Sequence, residues 1–311
     1  MVDAANNAGN RIGIEVSRTC ITSIVIDASE GILNTASVAI DIGGDLGEQV
    51  TACATGLQKK FAPVLSLGLA VPGLVDQKTG RVAFSANVPA HSETDLVSTL
   101  RNATGLEPFI ENDANAAAYG EFRMGAGRGS RDLFYATLGD GVGGAFIFEG
   151  RIWHGASGFA GEFGYVTINS EGTRLEEVAS SANIIRRTRS RFMQDSTSSL
   201  NKLEEEAINL PEIIDAAAKE DDFAQLMLKR TGTYVGTGIA SVINLLNVER
   251  IVVGGEIMQA KQLVLDAIVE RARELSFKPA FDSTTIVEGE LGSYAAALGA
   301  ALLSSEPRDQ V

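Results

Sequence analysis

The chain has only two cysteines and two histidines among its 311 residues. Cys20 and Cys53 are isolated in sequence, which favours reduced cytosolic thiols over a disulfide framework. Neither His91 nor His154 has a cysteine, histidine or carboxylate partner at the spacing of a zinc site. This composition excludes a metal-cysteine cluster, and we expect the protein to bind no structural zinc.

The sequence also lacks a long apolar run and an excess of basic residues. No stretch reaches the ~20 apolar residues of a bilayer-spanning helix, and residues 1–10 do not resemble a signal peptide. We therefore expect a cytoplasmic protein with no membrane partner. The formal net charge of −14 repels phosphates, which argues against nucleic acid as a partner. The dense basic stretch at residues 186–192 is interpreted as the solvated face of a helix.

Apolar patterns recur in the same order in two halves of the chain. In the first half, three predicted strands precede a helix, a buried strand, a helix, a strand and a further helix over residues 114–123. The second half repeats three strands, followed by a long helical region over residues 175–246 and two strand-helix pairs. Two successive units of this kind predict a duplicated α/β protein with a cleft between its halves.

An Asn-Asp pair, Asn112-Asp113, stands where a predicted strand ends and a predicted helix begins. Both residue types are favoured helix N-caps, so the pair could serve the helix alone. The carboxyl ends of strands in open α/β sheets also line ligand crevices. The positive end of a helix would keep the Asp113 carboxylate ionised and able to accept a proton. The residues alone leave both roles open.

Two glycine-rich segments follow predicted strands. The first carries Gly139, Gly141 and Gly143 between two strands, where glycine could supply the positive φ of a hairpin turn. Backbone amides without side chains could instead approach phosphate oxygens. Gly254-Gly255 precede a helix, where they could serve packing or the close approach of a nucleotide base or ribose.

Two glutamates could contact a polyol. Glu162 lies in a glycine-rich loop over residues 155–165, between aromatic and glycine positions. Glutamates are usually surface residues, so this setting predicts a carboxylate in a buried context that hydrogen-bonds hydroxyl groups. Glu176 is equally well explained as an acid in the first turn of a helix.

Together, these motifs resemble the ROK family (repressors, open reading frames and kinases) of the actin-like ATPase superfamily. The resemblance covers about residues 11–303, and segments 67–89, 110–165 and 250–257 carry it. It implies an α/β, ribonuclease H-like fold duplicated into two lobes with a cleft between them. The implied N-terminal lobe is residues 1–120 joined by the last helix, 294–311, and the C-terminal lobe is residues 121–293.

Similarity to the glucokinases of the family implies a role for each matching residue. Asp113 matches the catalytic base that takes the proton from the 6-hydroxyl of the sugar. The implied sugar-binding residues are Asn87, Asn112, Glu162, Tyr165 and Glu176. The implied nucleotide-binding residues are Thr19, Gly139, Asp140, Gly141, Gly143, Gly254 and Gly255. ATP and Mg²⁺ would be the cofactors, a small sugar the substrate, and a homodimer the assembly.

The first phosphate loop departs from the family pattern. Relatives carry DxGGT where this chain has EVSRT, residues 15–19. Ser17 and Arg18 replace the glycines and would crowd the backbone amides that wrap phosphate, although Arg18 could instead supply a charged contact. Asp140 stands where the second loop usually has threonine. Its charge would be unfavourable near phosphates unless Mg²⁺ or Arg18 offsets it.

The zinc module of the family is missing as well. Tyr165 stands at a histidine position, and the cysteine loop has shrunk to residues 169–174. Tyr165 can still offer a hydroxyl group. Without the zinc, Glu176 must be positioned by packing alone.

Three functions are compatible with the resemblance. The first is an ATP-dependent hexose kinase that phosphorylates the 6-hydroxyl of glucose or a related sugar. The second is a catalytically weak or inactive sugar-binding protein, because the loop at residues 15–19 lacks its glycines. A repressor is not expected, since a helix-turn-helix needs some tens of residues before the first strand. The choice of hexose, and of ATP or polyphosphate as donor, stays open.

Overall fold

A computed structural model describes residues 9–76, 81–84 and 95–307. The chain divides into two compact units. The first comprises Met1–Arg128, Phe146–Ala160 and Ser293–Val311, and the second comprises Gly129–Ala145 and Gly161–Gly292. The lobe boundaries expected from the resemblance stay a prediction.

The first five-stranded sheet has the order β3-β2-β1-β4-β7. Its strands are β1 (Asn10–Val16), β2 (Cys20–Ile26), β3 (Ile32–Ala39), β4 (Val64–Val71) and β7 (Phe109–Asn112). A separate two-stranded sheet pairs β5 (Leu74–Asp76) with β6 (Arg81–Phe84). β1 pairs with β2, and β2 with β3, in antiparallel fashion, whereas β1–β4 and β4–β7 are parallel.

The second five-stranded sheet has the order β10-β9-β8-β11-β12. Its strands are β8 (Leu133–Leu138), β9 (Val142–Phe148), β10 (Arg151–Ile152), β11 (Arg250–Gly254) and β12 (Thr285–Glu288). The two sheets share one strand order. In each sheet the first three strands lie side by side in reverse chain order, and two later strands follow next to the first strand. The predicted duplicated α/β fold is therefore confirmed.

Four helices belong to the first unit and six to the second, within the residues described. Those of the first are α1 (Leu46–Lys60), α2 (Leu96–Thr104), α3 (Asp113–Met124) and α10 (Ala295–Leu303). Those of the second are α4 (Glu176–Ala179), α5 (Ser181–Arg189), α6 (Leu210–Ala218), α7 (Asp222–Leu246), α8 (Gln262–Leu275) and α9 (Lys278–Asp282). None of these helices combines the length and apolar content required to cross a membrane.

The basic stretch at residues 186–192 is not simply a solvated helix face. Arg187 is buried, with 8% of its surface exposed. Its Nη2 donates to Val178 O and Thr231 Oγ1 at 2.9 and 2.8 Å, and its guanidinium lies 5.4 Å from the ring centroid of Tyr234. The sequence interpretation is wrong for this arginine because the α5–α7 interface binds it.

The two faces of the first sheet are covered differently. On one face, branched residues such as Ile12 and Leu67 pack against α1 and α2 in a continuous apolar core. On the other face, α10 lies directly on β1 and β4. A Cβ added to Gly13 would lie 1.9 Å from Ala297 O, and one added to Gly68 would lie 1.9 Å from Ala300 O. Only glycine permits this approach of helix backbone to strand backbone.

Helices α3 and α10 are equally close. A Cβ on Gly299 would lie 1.7 Å from Ala116 O, and one on Gly120 would lie 2.5 Å from Ala295 O. The small side chains of α10 therefore set the position of α3 relative to the first sheet.

We predict that Gly68→Ala lowers the free energy of unfolding by about 1–3 kcal/mol or more, because the added methyl group must displace backbone rather than a flexible side chain. Gly56→Ala is the matched control. Gly56 lies inside α1 with no atom within 4 Å of its added Cβ, so this change should raise stability by about 0.5–1 kcal/mol. Urea unfolding measures both. Equal effects of the two substitutions would contradict the close-packing argument.

Candidate functional site

Asn112 ends β7 and caps α3. Its Oδ1 accepts the backbone N–H of Asn115 at 3.1 Å, so the capping role foreseen from the sequence is confirmed. Its Nδ2 donates to Gly73 O at 3.0 Å and to Asp113 Oδ1 at 3.1 Å. An amide side chain has two donor hydrogens and two acceptor lone pairs. One acceptor position of Oδ1 therefore remains for a ligand hydroxyl.

Asp113 is the first residue of α3 and is partly exposed. Its Oδ1 accepts from Ala114 N at 2.8 Å as well as from Asn112. These two donors fix the orientation of the carboxyl group, and the positive end of the helix favours its ionised form. The geometry suits a proton acceptor, although its role as a base stays a prediction.

A second carboxyl group, that of Glu15, lies near Asp113. Glu15 is level with Ala70 on β4, and Ala70 is level with Glu111 on β7. Side chains at one level of neighbouring strands point to the same face of a sheet, so Glu15 and Glu111 share a face. Burial, together with the charge of Asp113, raises the pKa of Glu15 from 4.5 to about 8. Glu15 therefore holds a proton at neutral pH.

The turn between β1 and β2 is closed by the side chain of Ser17. Its Oγ accepts from Thr19 N at 3.3 Å and from Cys20 N at 3.0 Å, and donates to Cys20 O at 3.0 Å. Ser17 was expected to crowd the backbone amides of this turn. In the structure its hydroxyl oxygen accepts hydrogen bonds from two of them. Arg18 and Thr19 are exposed on the same turn.

Two residues near Asn112-Asp113 were missed by sequence reasoning. Glu111 has 1% of its side chain exposed, and its Oε2 lies 2.9 Å from His154 Nε2. Its Oε1 accepts from Asn112 N at 2.8 Å and from Asn115 Nδ2 at 3.0 Å. A glutamate within a strand gives no pattern that singles it out, and the sequence distance to His154 hides the pair.

In the second unit, Glu176 is held by a backbone amide. Its Oε2 accepts from Val142 N at 2.9 Å, so the expectation that packing alone would position it is wrong. Glu162 is exposed rather than in a buried context. Partial burial of the carboxyl group and the charge of Glu176 nonetheless raise the pKa of Glu162.

Tyr165 has 57% of its surface exposed and stacks under Arg174, whose guanidinium carbon lies 4.5 Å from the ring centroid. The short loop at residues 169–174 is closed by Asn169, whose Oδ1 accepts from Thr173 N and whose Nδ2 donates to Thr173 Oγ1, each at 3.0 Å. Side-chain hydrogen bonds and ring stacking thus stabilise this segment.

The glycines predicted to bind the nucleotide differ in whether packing requires glycine at their positions. A Cβ on Gly254 would lie 2.3 Å from Tyr135 Oη, and one on Gly255 would lie 2.3 Å from Leu138 O. Both are therefore required for packing, and Gly255 also has a φ of 94°. The nearest atom to a Cβ on Gly139 would be 3.5 Å away, so the fold does not demand glycine there.

Asp140 and Gly141 lie on the β8–β9 turn, where Asp140 is exposed and Gly141 is half-buried, and Gly143 is a half-buried residue of β9. Gly139 N donates to Gly141 O at 3.0 Å, and Gly139 O accepts from Ser181 N at 2.8 Å. Ser181, which sequence reasoning missed, also donates to Glu256 Oε1 at 2.6 Å. The turn is thereby tied to the start of α5.

Asn87 and a possible metal site remain to be placed. Asn87, expected to bind the sugar, lies outside the described residues. Within the parts of the chain that are described, no group of three or more His, Cys, Asp or Glu side chains could hold a metal ion.

Comparison with known proteins identifies the family. The family model for the ROK family matches residues 11–306. The chain belongs to the ROK family. It is 30% identical over 268 residues to the glucokinase of Halalkalibacterium halodurans, which covers 83% of this chain and 81% of that protein. The resemblance inferred from the motifs is confirmed.

Solved structures confirm the actin-like ATPase fold. The ROK family glucokinase of Streptomyces griseus, in complex with glucose and AMPPNP, matches this ROK protein with a TM-score of 0.85 at 29% identity, covering 95% of this chain and 99% of that one. A xylose repressor of Bacillus spizizenii is 27% identical over 309 residues, which are 94% of this chain and 76% of the repressor. Relatives of both kinds therefore resemble most of the chain.

We predict that Glu15→Gln stabilises the protein, and more strongly as pH rises. The folded state keeps the proton of Glu15 up to about pH 8, whereas the unfolded chain loses it near 4.5. Between those values the folded state binds more protons, so stability falls with rising pH by at most about 1.4 kcal/mol per unit. Glutamine does not titrate, so the variant should not show this fall in stability. The gap in melting temperature between variant and wild type should widen from about pH 5 to about pH 8.

Glu48→Gln, at an exposed glutamate of α1, serves as the control and should show no widening gap. Asp113→Asn should reduce the pH dependence, because Asp113 contributes to the raised pKa. A parallel pH dependence for wild type and Glu15→Gln would rule out a protonated Glu15 at neutral pH.

Proposed function

We propose that this ROK protein is an ATP-dependent hexose kinase that transfers phosphate to the 6-hydroxyl of glucose or a related sugar. The observation that carries the proposal is the fixed Asp113 carboxyl group at the start of α3 in a chain that resembles glucokinases over most of its length. A sugar-binding protein alone has no chemical need for a base at this position.

In the proposed reaction Asp113 accepts the proton of the 6-hydroxyl as its oxygen attacks the terminal phosphate of ATP. Asn112 offers its remaining acceptor position to a sugar hydroxyl. Asn87, Glu162, Tyr165 and Glu176 would hold the other ring hydroxyls, as the family resemblance implies. Phosphoryl transfer asks the protein mainly to position the reactants and stabilise charge.

The nucleotide would lie along the two glycine-bearing turns of the second unit, near Gly139 and Gly255. Mg²⁺ would neutralise the charge of the phosphates when bound. It needs only one or two carboxylates beside the phosphate oxygens, and the exposed Asp140 fits that need. Glu15, which holds its proton at neutral pH, adds no negative charge. Assembly as a homodimer follows from the resemblance alone.

A specific observation favours a second candidate, a sugar-binding protein with little or no kinase activity. The hydroxyl of Ser17 occupies Thr19 N and Cys20 N, two amides that a phosphate would otherwise use. Arg18 or a different donor such as polyphosphate would have to compensate.

We predict that Asp113→Asn lowers the rate of hexose-dependent ADP release by ~10²-fold or more, as expected for loss of a general base. Asparagine keeps an Oδ1 acceptor for Ala114 N, so the fold and the rise in melting temperature on adding hexose should persist. Turnover with Mg-ATP and thermal shift are measured on one panel of hexoses.

Asp45→Asn is the matched control, since Asp45 caps α1 and asparagine caps equally well. It should leave turnover unchanged. Hexose binding without turnover in the wild type would favour the second candidate. If no hexose either turns over or raises the melting temperature, the sugar assignment is wrong.

We further predict that Ser17→Gly lowers the KM for ATP by about tenfold, because two freed amides can donate to the charged phosphates. Where turnover is too slow to measure, the rise in melting temperature with AMPPNP replaces KM. Ser29→Gly is the control, because Ser29 lies in the next turn of the first unit and binds Asp27. A KM that is unchanged or higher in Ser17→Gly, relative to Ser29→Gly, would show that the hydroxyl does not obstruct phosphate.

A further inference from the structure

We propose that Glu111 and His154 form a positioning pair, in which Glu111 fixes the backbone just before Asp113 and His154 fixes Glu111. Neither residue touches the reacting atoms in this proposal. The inference rests on the proposed role of Asp113 as a base, but it concerns contacts that do not depend on that role.

The first step is the placement of the Glu111 hydrogen bonds. Its Oε1 accepts from the backbone N–H of Asn112 and from the side chain of Asn115, at 2.8 and 3.0 Å. Asn112 immediately precedes Asp113 and also donates to its Oδ1 at 3.1 Å. One carboxylate oxygen thus holds both the residue before the base and the helix turn after it.

The second step is the burial of Glu111. Its side chain is 1% exposed, and His154, its partner on Oε2, has 18% of its side chain exposed. A buried carboxylate is costly without a hydrogen-bonded or charged partner. Removing His154 would therefore take a hydrogen-bond partner from Oε2 and loosen the Glu111 side chain. A shift of that side chain disturbs Oε1 and the start of α3.

The third step is the position of His154 in the fold. It follows β10 and opens the loop at residues 154–160, which closes on itself through Ala160 N and His154 O at 3.1 Å. The loop continues in sequence to Glu162, one of the predicted sugar ligands. The pair therefore fastens the beginning of that loop to the start of α3, within one unit.

The pair is also sensitive to pH. The hydrogen bond and charge of Glu111 outweigh desolvation by burial, so the pKa of His154 is raised above 6.5. The imidazolium form is present below that pKa and is lost as pH rises through it. Among the described residues, Asp113 and Glu15 are further acids near this end of the sheet. Both stay unchanged in the variants described next, so a comparison between variants isolates the histidine.

The test compares His154→Leu, His154→Gln and Glu111→Gln with a control, Glu121→Gln. Glutamine can donate from a position similar to Nε2 but does not titrate. Glu121 lies on the same α3 helix, is equally buried and accepts from Ala126 N at 2.8 Å. Its loss should lower stability at the opposite end of the helix. kcat, KM for each substrate and melting temperature are measured across pH.

We expect His154→Leu and Glu111→Gln to lower kcat by about tenfold or more with little change in the KM for ATP, as for misplacement of a catalytic group. His154→Gln should restore kcat to within about threefold near neutral pH. We also expect the wild-type kcat to decline as pH rises through the His154 pKa, and the kcat of His154→Gln to show no such decline. Glu121→Gln should lower the melting temperature without changing kcat or its pH profile. Wild-type kcat and pH profile in His154→Leu would overturn the proposal.

A second measurement separates this proposal from the proposed function. Hydrogen exchange at the backbone N–H of Asn112, resolved by NMR, reports this hydrogen bond directly, whether or not the protein turns over a hexose. Exchange should be faster in His154→Leu than in Glu121→Gln at matched stability. Equal exchange would overturn the positioning pair, whereas faster exchange without wild-type turnover would refute only the kinase.

Discussion

The close approach of α10 to the first sheet is the constraint on which the rest of the first unit depends. Gly13 and Gly68 let the helix backbone contact the strand backbones, and Gly299 and Gly120 let α3 lie equally close to α10. Interiors of this density transmit displacement rather than absorb it. The start of α3, and with it Asp113, is therefore set by backbone contacts on its far side, before any side chain near the site adds its own hydrogen bonds.

Three carboxyl groups lie at one end of this sheet, and a different interaction stabilises each of them. Glu15 is half-buried near Asp113 and keeps its proton. Glu111 is buried more completely and is matched by His154 and two donors. Asp113 is partly exposed and lies at the positive end of a helix. Three ionised carboxylates in such proximity would repel one another strongly. Of the three, Asp113 is the one at a helix terminus that favours its charge.

Strand and helix patterns were sufficient to predict the duplicated α/β fold, because apolar periodicity reports burial directly. They also located Asn112-Asp113 at a strand end and the turn at Ser17, where the sequence shows that the glycines of the family pattern are missing. The pair of Glu111 and His154 could not be predicted, because a buried ion pair between distant segments has no local pattern. The packing role of Gly254 was left open for a similar reason. The residue that requires it, Tyr135, lies on a strand that only the fold brings alongside.

The position of α10 in the chain has a consequence for biosynthesis. The strands bearing Gly13 and Gly68 are made early, whereas Ala295–Leu303 leaves the ribosome only after the whole second unit has been synthesised. Until then, the part of the first sheet that α10 covers stays exposed, and transiently exposed apolar surface makes nascent chains prone to aggregate. The second unit, whose described strands and helices are all complete before α10 appears, can fold first. The amino-terminal unit of this protein is thus the last to be finished.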